Sequence, residues 1–390
     1  MDLSYIINEL GEDREMYFNA VAPPIVQSSN FAFKTVEEMR QLMLDEYSGF
    51  LYSRGMNPTL EILRKKLAAL DGAEDALVFS SGAGAIFAAI LSQVKHGDHI
   101  VSVRDPYSWA KHMFEIILPR FGVQTTFIDG TDIENFERAR QSNTTLVYLE
   151  TPNSFTYELQ DLTAVANWAK EHHIVSIVDN SHCSPLFQSP VSMGIDLALQ
   201  SATKYIGGHS DVVAGVLTGS KQKMEKIFKS EYLNVGSAIA PMNAWLLIRG
   251  LRTLELRLKK CDTSAQLIFP RLKEHAAIER IYFPFDPDFP QYDLAKKQMK
   301  GAGGLVTIQL KTRDLAKIEL FCNSLKHFLM AVSWGGHESL VFPSCANVLP
   351  SEFDGENPKH RMVRIYFGLE DTEYLWDDLK QALDKLLTRE

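Results

Sequence analysis

Short apolar runs alternate along this chain with longer stretches in which apolar residues recur at helical spacing. The runs are Ala76–Phe79, His99–Val103, Thr125–Ile128, Leu146–Leu149, Ile174–Val178 and Leu197–Leu199. Helix-like stretches lie between several of them: Ala83–Gln93, Trp109–Leu118 and Leu162–His172. Ahead of the first run, Leu60, Leu63, Leu67 and Leu70 share one helical face, and Asn57-Pro58-Thr59 supplies a start signal. Strands and helices in alternation predict an α/β layer with a mostly parallel central sheet and flanking helices. Ligands of such sheets gather at the carboxyl ends of the strands. Ser80, Glu150 and Asp179 stand at those ends.

The pattern changes on either side of this layer. Residues 1–55, with Pro23-Pro24 and few periodic stretches, read as an arm that needs another surface to order it. Residues 56–244 carry the strand and helix alternation. Past Leu217 the alternation stops, and Ala244–Ala265 reads as one long helix. Residues 245–390 mix strands with helices and close on Leu375, Leu379, Leu383 and Leu386, which predicts a smaller C-terminal α+β domain.

Composition narrows the function classes. With 45% hydrophobic and 23% charged residues the chain has the balance of a globular protein. A net charge of −9 argues against a general nucleic-acid binder, yet leaves room for a local cationic pocket that takes a small anion. The four cysteines, Cys183, Cys261, Cys322 and Cys345, have no paired spacing, which disfavours a disulfide framework or a metal site and fits a reducing compartment. No basic-then-apolar leader and no membrane-length apolar run is read, so a cytoplasmic enzyme without membrane partners is expected.

The chemistry concentrates around Lys204. It stands in Ser201-Ala-Thr-Lys-Tyr205 just after an apolar run, with Asp179 at the end of the preceding one. A lysine there can link to a carbonyl, and a carboxylate there can hold a pyridinium nitrogen. The two together point to pyridoxal 5'-phosphate (PLP). Ser80-Ser81-Gly82-Ala83-Gly84 joins a strand to a helix, where free backbone N–H groups bind phosphate and glycine lets the anion approach. Ser201 and Thr203 can add hydroxyl donors. Tyr107 follows another strand and can stack on a flat ring. Arg54, beside Tyr52, offers a bidentate fork for phosphate.

These segments occur together and in order. They are Pro23–Phe31, Tyr52–Thr59, Phe79–Gly82, Glu150–Pro152, Val178–Asn180, Ser201–Asp211, Arg249–Leu254, Ser333–Leu340 and Val363–Asp371. In them the chain resembles the cystathionine γ-synthase and lyase family, fold-type I PLP-dependent enzymes of cysteine and methionine metabolism. The resemblance implies that Lys204 carries PLP, Asp179 pairs with its ring nitrogen and Tyr107 stacks on the ring. It also implies that Gly82, Ala83, Ser201 and Thr203 hold the phosphate, with Tyr52 and Arg54 reaching a neighbouring subunit's phosphate. A homotetramer built from dimers that share active sites follows from this. Arg364 and Ser333 would grip the α-carboxylate of an amino-acid substrate. Two departures stand out: Ser154 holds the place of a family asparagine, with Asn153 just before it, and Ser108 replaces a family glycine.

The same resemblance implies an elimination of a thiol from Cβ or Cγ of a sulfur amino acid, or else a synthase joining a thiol to an activated homoserine ester. A PLP-fold protein that only binds is the third reading, and intact Lys204, Asp179, Tyr107 and Arg364 speak against it. Val332 resembles the small apolar residue of methionine γ-lyases, whereas Trp334 resembles the cystathionine β-lyases and Trp109 takes the place of a methionine γ-lyase cysteine. An apolar Val332 offers no charged partner for the distal amino group of cystathionine and leans toward a shorter thioether; the expectation is a carbon–sulfur lyase that releases a thiol, an α-keto acid and ammonia from methionine- or cystathionine-type thioethers by γ- or β-elimination.

Overall fold

The structure, a computed structural model, describes residues 1–387. Every predicted run becomes a strand of one seven-stranded sheet: β1 Asp75–Phe79, β2 His99–Val103, β3 Gln124–Ile128, β4 Thr144–Glu150, β5 Val175–Asp179 and β6 Leu197–Ser201, joined by β7 Gly215–Gly219. The order is β1-β7-β6-β5-β4-β2-β3. β6, β5, β4, β2 and β3 are mutually parallel, and β7 runs antiparallel between β1 and β6. Alternate residues feed two cores. Ile100, Leu146, Tyr148, Ile177 and Leu199 pack on one face with Ala85, Ala89 and Phe114. Val101, Val147, Leu149, Val178 and Ala198 pack on the other with Phe136, Leu162 and Trp168. Burial on both faces explains why the strands read as unbroken apolar runs.

The pattern gave no sign of β7, because glycines close it at both ends. They are required there: a Cβ on Gly215 would lie 2.2 Å from the Ser81 carbonyl oxygen, and one on Gly219 would lie 2.8 Å from that of Asp196. The long helix expected over Ala244–Ala265 is instead two, Pro241–Leu251 and Leu254–Glu274. The break follows Gly250, whose missing Cβ would meet the Ile206 and Gly207 carbonyls at 2.4 and 2.6 Å.

By contacts the chain forms two units. The first comprises Met1–Asn153, Leu159–Gly207 and Asp211–Arg252. Its N-terminal residues carry helices at Leu3–Asn8 and Val36–Leu44, with largely irregular chain between them. The surface that orders the first of these is the helix Pro58–Asp71. From it the fully buried Lys66 donates to the Ile6 and Ile7 carbonyls at 3.0 and 2.9 Å and pairs with buried Glu12 at 3.0 Å. Arg252 pairs with the same Glu12, so two cations hold that carboxylate.

The second unit comprises Ser154–Glu158, Gly208–Ser210 and Thr253–Glu390. It has a five-stranded sheet in the order β10-β11-β12-β9-β8. The strands are β8 Ile278–Tyr282, β9 Leu305–Leu310, β10 Leu329–Met330, β11 Leu340–Pro343 and β12 Met362–Tyr366. Val306, Ile308, Val341, Val363 and Ile365 point to a core that also takes Leu375, Leu379 and Leu383 of the helix Thr372–Asp384. Residues between them, among them Thr307 and Arg364, face the opposite side of the sheet.

One buried acid in the first unit has a measurable signature. Asp71 ends the helix Pro58–Asp71, is fully buried, and accepts from Thr218 Oγ1 at 2.7 Å and Gln200 Nε2 at 3.0 Å. Its Oδ1 has no hydrogen-bond partner. Burial pushes its carboxyl up to about 7, against the two hydrogen bonds that lower it. The folded chain therefore holds a proton that the unfolded chain, with an ordinary aspartate near 4, has lost. Stability contributed by this site falls as the pH rises from about 4 to about 7. Asp71→Asn, which mimics the neutral acid, is expected to gain melting temperature relative to the parent between about pH 5 and about pH 8. An unchanged difference across that interval would mean that Asp71 ionises normally.

Candidate active site

β1, β2, β4, β5 and β6 point the same way, so their carboxyl ends lie on one side of the sheet. The chain places Ser80–Gly82, Tyr107, Glu150, Asp179 and Ser201–Lys204 there or just beyond. After β1, Ser81 caps the helix Gly82–Leu91 by accepting from the Gly84 N–H at 3.0 Å. Gly82 and Ala83 open that ten-residue helix, where backbone N–H groups have no intrahelical acceptor. A Cβ on Gly82 would come within 3.1 Å of Ser201 Cβ and 3.2 Å of Ser201 Oγ. The glycine thus keeps a space open between the helix start and the hydroxyl that ends β6.

Asp179 ends β5 and is buried. Its Oδ1 accepts from the Ser181 N–H at 2.9 Å. Desolvation raises its carboxyl above the ordinary aspartate value, while the Ser181 contact and the Lys204 cation act in the opposite direction. Lys204 follows β6 in a turn closed by its N–H on the Ser201 carbonyl at 3.1 Å. Tyr107 caps the short helix Ser108–His112, and its backbone N–H donates to the Glu150 carboxylate. Burial first, then the Asp179 and Glu150 carboxylates, raise the Tyr107 phenol above its ordinary value, so it stays protonated at neutral pH. The same two carboxylates act on Tyr148, a buried phenol on β4 whose hydroxyl has no hydrogen-bond partner.

The profile of a family described as Cys/Met metabolism PLP-dependent enzyme matches residues 5–384. The chain belongs to this family. L-methionine gamma-lyase of Treponema denticola is 39% identical over 377 residues, covering 95% of this chain and 94% of its own. Cystathionine gamma-lyase of Bacillus subtilis is 35% identical over 377 residues, covering 94% and 95%. Among solved structures, metB from Corynebacterium glutamicum aligns with a TM-score of 0.91 at 32% identity, over 99% of this chain and 98% of that one.

PLP is therefore the cofactor, and the residues at the strand ends fit it. A phosphate suits the helix start at Gly82 and Ala83, with the Ser201 hydroxyl beside it. A buried acid whose ionisation is opposed by desolvation suits a cationic ring nitrogen. The Lys204 amine suits a link to the cofactor aldehyde, and a half-exposed Tyr107 ring suits stacking. Thr203 fits a phosphate less directly: its Oγ1 donates to the Ala214 carbonyl at 3.2 Å and accepts from the Ala214 N–H at 3.0 Å, which ties the lysine loop to the residue before β7. Cys183 is no thiolate, since burial raises its thiol well above the ordinary value.

The remaining predicted residues lie elsewhere in the chain. Tyr52 and Arg54 stand exposed on the arm, the Arg54 guanidinium 5.6 Å from the Tyr52 ring centre, and Tyr52 bridges Asn30. Ser333, Val332 and Arg364 belong to the second unit. Val332 is 71% exposed, Ser333 sits at φ +83°, and Arg364 Nη1 donates to the Ser154 carbonyl at 3.2 Å. Asn153 is buried and belongs to the first unit, whereas Ser154 begins the segment counted with the second. Sequence reasoning missed Tyr148, the Glu150 contact to Tyr107, and the surroundings of Arg364. For Tyr148 the available signal was its place two residues before Glu150, on the same face of β4.

Proposed function

We propose that this chain is a PLP-dependent carbon–sulfur lyase that releases a thiol, an α-keto acid and ammonia from a methionine- or cystathionine-type thioether. The observation that carries this reading is the juxtaposition of Lys204, Asp179 and the Gly82–Ser201 cradle at the strand ends. Membership of the family and the relatives named methionine gamma-lyase and cystathionine gamma-lyase support the choice of bond.

Bound PLP supplies the electron sink for the charge left when the α-proton departs. Arg364, helped by Ser333, holds the α-carboxylate and so fixes the direction of the Cα–H bond. The Lys204 amine takes the α-proton and returns protons later in the cycle. Asp179 holds a negative charge opposite the ring nitrogen. Tyr107, protonated at neutral pH, delivers a proton to the departing sulfur.

The reading extends to the assembly and its compartment. We propose a homotetramer built from dimers, with Tyr52 and Arg54 completing a neighbour's phosphate site. Exposed Met16, Phe18, Val21, Met43 and Leu44 on the arm support a covered surface there. Among the described residues no helix is long and apolar enough to cross a membrane, and a cytoplasmic location fits the four unpaired cysteines.

A substrate panel tests the reaction. Methionine, homocysteine, cystathionine and cysteine are expected to give keto acid, with ammonia in equal amount. A thioether formed from O-acetyl- or O-succinylhomoserine plus thiol, without keto acid from the first four, would replace the lyase with a synthase.

A further inference from the structure

The guanidinium of Arg364 is surrounded by aromatic rings, all within the second unit. Its carbon lies 4.9 Å from the Phe155 ring centre, 5.4 Å from that of Phe342 and 5.7 Å from that of Trp334. Phe155 and Phe342 also meet each other edge to face at 5.9 Å. The register of the small sheet produces this cluster. β12 pairs with β11 and β9 so that Phe342, Arg364 and Thr307 are direct cross-strand neighbours on one face. The segment Ser154–Glu158 lies along that row. The Tyr157 hydroxyl meets Thr307 Oγ1 at 2.9 Å, the Ser154 carbonyl accepts from Arg364 Nη1 at 3.2 Å, and Phe155 stands between them in sequence. Tyr157 is fully buried, which fastens the segment to the sheet.

A guanidinium is planar and weakly hydrated on its faces, and its N–H groups point outward in the plane. Aromatic rings placed around it attract the cation through their quadrupoles and displace water. The polar side of the group is its in-plane edge, which matches the fork of a carboxylate. With the Ser154 carbonyl bound at Nη1, rotation of the plane is restricted as well.

We propose that Phe155, with Phe342 and Trp334, forms an aromatic sheath that makes Arg364 selective for a carboxylate, and that Phe155 is a positioning residue acting through Arg364. This rests on the reading of Arg364 as the grip on the substrate α-carboxylate. The sheath turns a surface-type arginine into a partly dehydrated one, whose pairing with a carboxylate is stronger than in water and whose response to a neutral carboxamide is weak.

The test uses the PLP-loaded enzyme with L-norleucine and L-norleucinamide. Both carry the same amine and apolar side chain, and only the first carries a carboxylate. Dissociation constants are read from the change in the visible cofactor band, and a second readout is the KM and kcat for methionine. In the parent enzyme the acid is expected to bind far more tightly than the amide. In Phe155→Leu, which keeps apolar bulk without a ring, the acid should weaken about 3- to 10-fold, the amide should hold, and KM should rise with kcat nearly unchanged. Phe155→Tyr should restore parental values. Equal weakening of acid and amide in Phe155→Leu, or failure of Phe155→Tyr to restore acid binding, would overturn the proposal. Equal binding of acid and amide by the parent would instead remove Arg364 as the carboxylate grip, a distinct failure.

Discussion

Lys204→Ala is expected to leave a folded protein that turns over no thioether. The amine is asked both to hold the cofactor and to move the α-proton, and loss of a positioned acid–base group alone costs about a hundred- to ten-thousandfold. The turn around it does not depend on the side chain: the Lys204 N–H closes on the Ser201 carbonyl and Thr203 is fastened to Ala214, so alanine should be accommodated without unfolding. Borohydride reduction of the parent, followed by peptide mapping, should find the label on the peptide containing Lys204. The variant should show none. Label on a different lysine, or near-parental turnover by the variant, would dismantle the assignment of the site.

Asp179→Asn should behave differently, keeping PLP bound but losing about two to three orders of magnitude in kcat. The carboxylate is buried at the end of β5, where its Oδ1 accepts from the Ser181 N–H, and desolvation works against its charge. A cationic ring nitrogen held beside it would relieve that cost, and the acid would in return favour the protonated ring. An asparagine retains an acceptor for Ser181 but cannot hold the ring's charge. Binding should therefore survive while the electron sink weakens, and the visible band should move. An unchanged kcat at saturating substrate would take Asp179 out of the chemistry.

Much of the first unit could be read from the sequence because its strands are buried on both faces. His99–Val103, for example, is buried at every position and appears as a strand with those same bounds. Asp179, Glu150 and Ser201 were legible as strand-end residues for the same reason, since a polar residue that ends an apolar run sits at the rim of a sheet. β7 escaped because its ends are glycines chosen for close backbone approach, a demand made by Ser81 and Asp196 that lie far away in sequence. The break after Leu251 escaped on similar grounds, as the carbonyls that Gly250 accommodates come from the lysine loop. Phe155 carried no signal at all. Its partners Phe342 and Arg364 meet it only once β11 and β12 have paired in register.

Two short peptides, Ser154–Glu158 and Gly208–Ser210, pack with the C-terminal sheet although the ribosome makes them long before it. Tyr157 inserts its ring beside Thr307, and the Ser210 hydroxyl donates to Glu338 at 2.5 Å. The C-terminal segment is consequently not a detachable module. Excised at Thr253, it would leave behind pieces of its own packing, and during synthesis those pieces must wait for a partner that emerges last.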